Sequence, residues 1–188
     1  MESKNKDFLN DYYGLIAEKI QKLDYESASD AIELIKSLKK TNNKIMIAGN
    51  GGSAAMASHV CVDFTKVAKI RATNFNEADL ITCFANDYGY ERLFEKAIQF
   101  YGDEGDIVIL ISSSGSSANV VNAAKYAKQL KMKVITLSGF ENDNPLKKEG
   151  DINFWVDSNA YNIVEMTHHI WLLSFVDSIV GKISYPAS

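Results

Sequence analysis

The chain has 188 residues, of which 46% are apolar and 23% are charged. That length and apolar content are sufficient for one substantial hydrophobic core without help from disulfides. Acidic residues outnumber basic ones and give a formal net charge of -4, which argues against the broad basic field of a nucleic-acid-binding protein.

The cysteine content and the first residues indicate the compartment. Cys61 and Cys83 have neither metal-ligand nor disulfide-framework spacing, so we expect both to be reduced and buried. The chain begins with the polar segment MESKNKDFLND, which lacks the apolar region of a signal peptide, and no apolar run approaches the length of a membrane span. We therefore expect a cytoplasmic protein that binds neither nucleic acid nor a membrane.

Two helices are predicted at the start of the chain. Apolar residues recur every four positions at Phe8, Tyr12 and Ile16, which predicts an amphipathic helix over residues 5–22. A second helix is predicted over residues 26–40.

After residue 40 the hydrophobic pattern changes to short apolar runs that are typical of buried strands. Such runs occupy residues 44–48, 106–111, 134–137 and 152–156. Helical composition separates them at residues 53–67, 90–100 and 117–130. Alternation of strands and helices predicts a parallel sheet that is covered by helices on both faces. We therefore predict a single α/β domain over residues 1–188, a flavodoxin-like three-layer sandwich with an N-terminal helical extension at residues 5–40.

The last predicted helix, residues 160–182, is apolar on nearly every face. Such a helix must be buried on all sides. Because symmetric homo-oligomers are common, we expect another subunit to cover it at residues such as Trp171 and Phe175. The alternative is that the first two helices cover the remaining face within one chain.

Two strands run into loops that suit a bound anion. The first loop is Gly49-Asn50-Gly51-Gly52-Ser53, and the second is Ser112-Ser113-Ser114-Gly115-Ser116-Ser117. Glycines let the backbone approach a ligand, and hydroxyls at a helix N-terminus bind anions such as phosphate. Each loop could instead be an ordinary turn with a capping serine, but two such loops, each directly after a buried strand, favour a phosphate ligand. Neither matches a nucleoside triphosphate or dinucleotide motif.

Four elements of the sequence together resemble a known family. They are AGNGGSAA at residues 48–55, His59 on the next helix, NDYG at residues 86–89 and SSSGSSANV at residues 112–120. Their order and spacing resemble those of the phosphoheptose isomerases, which are SIS (sugar isomerase) domain proteins. The resemblance spans nearly the whole chain, from the N-terminal helices through Glu165.

The resemblance implies a reaction, an assembly and a set of binding residues. The reaction is the interconversion of sedoheptulose 7-phosphate and a heptose 7-phosphate, by a homotetramer whose active sites lie at subunit boundaries. Asn50 and Asp87 would lie beside the sugar, and Gly51 and Ser113 complete the predicted substrate-binding set. The serines implied to hold the phosphate are Ser53, Ser112, Ser114 and Ser117.

The implied catalytic positions are only partly retained. In the family, the helix after the glycine-rich loop carries a His and, four residues on, a Glu; the final helix carries a Gln and, eight residues on, a His. These four are implied zinc ligands, and the Glu and second His are the base and the acid. This chain retains His59 but has Asp63 at the Glu position, Val164 at the Gln position and Leu172 at the second His position. We predict Asp63 as the base, and His59 with Asp63 as ligands if zinc binds; a simple His–carboxylate pair is the alternative.

A substitute for the missing acid is predicted on the last helix. Residues 164, 168 and 172 are four apart and share one helix face, so we predict that His168 serves as an acid or metal ligand. His169 points about 100° away around the helix, and we expect its replacement to have little effect. The alternative is that both histidines are helix residues packed at an interface.

The predicted function is therefore sugar-phosphate isomerisation between an aldose and a ketose. This reaction needs a carboxylate and an imidazole within reach of adjacent carbons, and the resemblance implies a role in surface polysaccharide or activated heptose biosynthesis. The alternative is a non-catalytic SIS domain that senses a sugar phosphate or binds a regulatory protein partner.

Overall fold

The computed structural model describes residues 2–186 and contains one five-stranded parallel sheet in the order β2-β1-β3-β4-β5. The strands are β1 (Ile45–Gly49), β2 (Ala72–Asn74), β3 (Ile107–Ser112), β4 (Lys133–Ser138) and β5 (Ile152–Trp155). The predicted α/β fold is confirmed. Sequence analysis missed β2, because this strand is only three residues long and polar.

Seven α-helices surround the sheet in the described part of the chain. They are α1 (Glu2–Gln21), α2 (Tyr25–Ser37), α3 (Gly52–Lys66), α4 (Ala78–Tyr88), α5 (Leu93–Tyr101), α6 (Ala118–Gln129) and α7 (Tyr161–Val180). Sequence analysis missed α4, which has no fully buried residue. Cys61 is buried as expected, whereas the expectation for Cys83 is wrong, since it is exposed on α4.

The sheet separates two hydrophobic layers, as the period of a strand requires. Along β1, Ile45 and Ile47 point to the layer formed with α2, α3 and α7. Met46 and Ala48 point to the layer formed with α5 and α6. The predicted three-layer sandwich is thus confirmed.

Helix α7 is covered mainly by its own chain. Trp171 and Phe175 are buried in the first layer, where the indole N–H of Trp171 donates to the Ile20 carbonyl at 2.9 Å. The prediction that a second subunit covers these two residues is therefore wrong. As in the alternative, their own chain covers them. Only one face of α7 remains exposed, with Met166 and Ile170 each 41% exposed.

Contrary to the expectation that no apolar run approaches the length of a membrane span, helix α7 is long and apolar enough to cross one, and it is the one such helix among residues 2–186. Half of its apolar window is buried inside the fold. Packing against the sheet therefore accounts for its composition.

Candidate active site

The candidate site lies where the strand order reverses. Strand β1 leads into α3 and its neighbour β3 leads into α6, while β2 lies on the other side of β1. In an open parallel sheet, ligands bind beyond the carboxyl ends of the strands at such a switch point. A cavity of about 110 Å³ opens there and is lined by Asn50, Ser53, Ile111, Ser112, Ser113, Ser114, Ser117, Tyr161 and Glu165.

The serine-rich loop presents hydroxyls to this cavity. The Ser112 hydroxyl donates to that of Ser117 at 3.0 Å, and Ser117 begins α6 without capping it through its side chain. The buried Ser113 hydroxyl has no hydrogen-bond partner among the described residues. Gly115 supports the turn with a φ of 64°, and a Cβ there would overlap the buried Asn144 side chain. Asn144 thus supports the loop from its buried side, while the Ser113 hydroxyl remains available to a ligand.

A hydrogen-bonded cluster orients Asn50. The amides of Asn50 and the buried Asn119 exchange two hydrogen bonds of 2.9 Å. The Tyr90 hydroxyl also donates to the Asn50 amide oxygen at 2.9 Å. Sequence analysis assigned no role to Tyr90 or Asn119, because nothing in their spacing predicts contact with the glycine-rich loop.

Two predicted binding residues lie outside the cavity lining. Gly51 precedes α3 with a φ of 55°, a conformation that favours glycine. Asp87 is exposed at the end of α4, where its carboxylate accepts from the Asn86 amide at 2.8 Å. The other six predicted residues line the cavity together.

His59 and Asp63 of α3 lie close to His169 of α7. His59 Nδ1 lies 2.9 Å from His169 Nε2, and the other ring nitrogen of His59 lies 3.6 Å from an Asp63 carboxylate oxygen. Burial and the neighbouring His59 lower the pKa of His169. The histidine that pairs with His59 is therefore His169, for which sequence analysis expected no role.

His168 lies on the core side of α7, with Val164 and Leu172. The three share one face as predicted, but all are fully buried. His168 Nε2 lies 3.0 Å from the Ser138 carbonyl oxygen, which can only accept, so this nitrogen carries the proton. Burial lowers the pKa of His168 to about 4. This placement does not support the predicted role of His168 as an acid or metal ligand.

Glu165 brings a carboxylate into the cavity from the neighbouring face of α7. A Cβ at Gly52, the first residue of α3, would overlap this carboxylate. Burial raises the pKa of Glu165. Sequence analysis used Glu165 only as part of the family resemblance, because its neighbours in sequence do not reveal that it faces the glycine-rich turn.

The zinc site that the resemblance implies does not fit these residues. His59 turns its two ring nitrogens to His169 and to Asp63 on opposite edges of the ring. Val164 and Leu172 offer no ligand atoms. Within residues 2–186, no group of three His, Cys, Asp or Glu side chains is arranged to hold a metal ion. The predicted binding of zinc by His59 and Asp63 stays a prediction.

The parallel sheet and the hydroxyl-lined cavity are those of an SIS-domain protein. Residues 10–139 match the model of the SIS domain family. A phosphoheptose isomerase from Aliarcobacter butzleri is 31% identical over 90% of each chain. One from Buchnera aphidicola is 33% identical over 86% of each chain. The solved structure of a phosphoheptose isomerase from Neisseria gonorrhoeae has a TM-score of 0.87 and 27% identity, and the match covers 96% of this chain and 100% of that one. The chain belongs to the phosphoheptose isomerase family of SIS-domain proteins.

Proposed function

We propose that this protein is an aldose–ketose isomerase that acts on a heptose phosphate in the cytoplasm. The observation that carries the proposal is the buried, unpartnered Ser113 hydroxyl in a cavity at the start of α6. A buried hydroxyl without a partner costs free energy, and a phosphate oxygen would supply the missing partner. Family membership favours isomerisation over the alternative of a non-catalytic sensor or regulator.

The phosphate group fits the α6 side of the cavity. Ser112, Ser113, Ser114 and Ser117 bring hydroxyls together beside the N-terminus of α6, where backbone N–H groups and the helix dipole favour an anion. Ser53, on α3, also lines this cavity. Binding the phosphate here supplies energy remote from the reacting carbons, which orients them for proton transfer.

The sugar would extend from the phosphate past Asn50. The bonds from Asn119 and Tyr90 both end on the Asn50 amide oxygen, so the orientation of this amide is set before a ligand arrives. Asp87 lies three residues before Tyr90 on the segment that reaches Asn50, and its predicted place beside the sugar stays a prediction. We propose surface polysaccharide or activated heptose biosynthesis as the pathway.

We further propose that the protein forms a homotetramer. The exposed face of α7 carries Met166 and Ile170, and α1 exposes Phe8 and Tyr13. Exposed apolar residues of this kind mark association surfaces when they are contiguous. Sedimentation at micromolar concentration should give the mass of a tetramer, and Ile170→Glu should lower it, whereas Gln129→Glu on the opposite layer should not. A folded wild-type monomer would contradict this assembly.

The isomerase proposal is tested by assaying the purified protein against a panel of aldose and ketose phosphates that includes sedoheptulose 7-phosphate. The assay is run with added zinc and with a chelator. We expect turnover of a heptose phosphate. Tight binding of a sugar phosphate without turnover of any panel member would instead support the sensor.

A further inference from the structure

Glu165 is the carboxylate that the cavity contains. Its side chain is half-buried beside the first residue of α3, and it makes no hydrogen bond or ion pair with any other residue of the described range. Asp63, by comparison, lies near His59 and does not line the cavity. A partly desolvated carboxylate without a partner is costly to keep, so its presence in a ligand cavity points to a role there.

The N-termini of α3 and α6 both lie at the switch point, and each suits a different anion. The N-terminus of α6, with the serines that line the cavity beside it, suits a bound phosphate. The α3 end already has the Glu165 carboxylate beside Gly52, where the positive end of the helix dipole favours it. Because two negative charges repel, a sugar phosphate would place its phosphate at α6, and its carbon chain would occupy the rest of the cavity that Glu165 lines.

Gly52 makes this close approach possible. Any side chain at position 52 would overlap the Glu165 carboxylate, yet the backbone of Gly52 does not require glycine, since its φ is not positive. Glycine at position 52 is thus explained by the space that the Glu165 carboxylate occupies.

We propose that Glu165 is the catalytic carboxylate that removes and returns the carbon-bound proton during isomerisation; this inference rests on the proposed function. Glu165 takes a proton from C1 of the ketose, and the C–H electron pair becomes the C1–C2 double bond while the carbonyl pair moves onto O2. A proton passes from O1 to O2, the C1 carbonyl forms, and C2 takes the proton back from Glu165. Hydrogen is only redistributed within the substrate, so no oxidant or reductant is consumed. The raised pKa of Glu165 suits a base that must also give up its proton near neutral pH.

The test uses the full chain with sedoheptulose 7-phosphate in D₂O and measures kcat, deuterium uptake at carbon and the Kd for inorganic phosphate. Glu165→Gln should lower kcat by about 10²–10⁴-fold, the usual contribution of a general base, and should abolish deuterium uptake. Its Kd for phosphate should stay unchanged or fall, because a negative charge leaves the cavity. A merely structural role would weaken phosphate binding as well.

Two further variants complete the test. Gly52→Ala should displace the carboxylate without changing it chemically and should also lower kcat, which keeps the test in force if Glu165→Gln folds poorly. Asp177→Asn, on the same helix but outside the cavity, should leave kcat unchanged. An active wild type with a fully active Glu165→Gln variant would overturn this inference alone. A wild type that neither converts the substrate nor takes up deuterium would overturn the isomerase function and this role together.

Discussion

The amino and carboxyl ends of the sheet differ in how completely their buried polar groups are paired. At the amino end, Asp106 is fully buried and accepts hydrogen bonds from the backbone and ammonium groups of Lys44, the Asn43 amide and the Asp103 backbone. Although burial alone would raise the pKa of Asp106, these bonds hold it below its ordinary value. The amino end is thus a satisfied network that joins the starts of β1 and β3.

At the carboxyl end, buried polar atoms are left without partners. Within residues 2–186 these atoms are Ser113 Oγ, Trp155 Nε1 and His168 Nδ1. Ser113 follows β3, Trp155 ends β5, and His168 contacts the Ser138 carbonyl at the end of β4. Since each unpaired group costs stability, the comparison indicates that one end of the sheet contributes stability and the other is organised for binding.

The largest effect on folding should come from breaking the amino-end network. Asp106→Ala leaves the backbone N–H groups of Lys44 and Asp103 without this acceptor, so the free energy of unfolding should fall by about 2–6 kcal/mol, at about 1–3 kcal/mol for each buried donor left unpaired. Urea denaturation measures this. Asp143→Ala, which removes an exposed carboxylate 3.7 Å from Lys148, is the matched control and should cost less than about 1 kcal/mol. A similar small loss for both variants would remove the contrast between the two ends.

Acid should destabilise the fold through the buried His168, whose Nδ1 has no hydrogen-bond partner among the described residues. Its folded pKa of about 4 lies below the ordinary 6.5, so the unfolded chain binds a proton first and stability falls as pH drops from 6.5 to 4. The loss should approach about 3 kcal/mol. His168→Gln should flatten the profile in this range, whereas His59→Gln should not. The stability that the lowered pKa of Asp106 contributes is present in full at these pH values and is lost only as pH falls below 3.8. An unchanged profile in His168→Gln would contradict the assignment.

Removing hydroxyls at the carboxyl end of the sheet should weaken ligand binding more than it lowers the stability of the fold. Replacing Ser112 and Ser117 together with Ala should weaken sugar-phosphate binding by about 1–3 kcal/mol, the value of a hydrogen bond to a charged group. Calorimetry measures the Kd, and Ser116→Ala is the control because the exposed Ser116 lies outside the cavity lining. An unchanged Kd in the double variant would place the phosphate elsewhere.

The smallest effect expected is on turnover in Asp63→Asn. If Glu165 is the base, Asp63 acts only through His59 at 3.6 Å, and kcat should fall by no more than about tenfold, or 1.4 kcal/mol. The same assay with sedoheptulose 7-phosphate compares Asp63→Asn with Glu165→Gln. Complete loss in Asp63→Asn with activity kept in Glu165→Gln would restore the sequence-based assignment of Asp63 as the base.

Much of the fold followed from hydrophobic period alone. Strands β1, β3, β4 and β5 are short apolar runs, and such runs bounded by turns are buried strands in α/β proteins. Strand β2 and helix α4 escaped prediction because β2 is polar and α4 has no fully buried residue. Their positions depend on the sheet edge and on α5, which local sequence does not describe.

The sequence by itself predicted the two candidate phosphate-binding loops, because glycines and serines follow directly after two buried strands, and the position of these loops at the carboxyl end of the sheet follows from its parallel order. Only the tertiary structure decided how α7 is turned. A helix that is apolar on most faces has no stripe to indicate its inner side, so packing on the sheet placed His168 in the core and brought Glu165 to Gly52 and His169 to His59. The pairing of side chains across α3 and α7 is a property of that packing, because residues more than a hundred positions apart meet there.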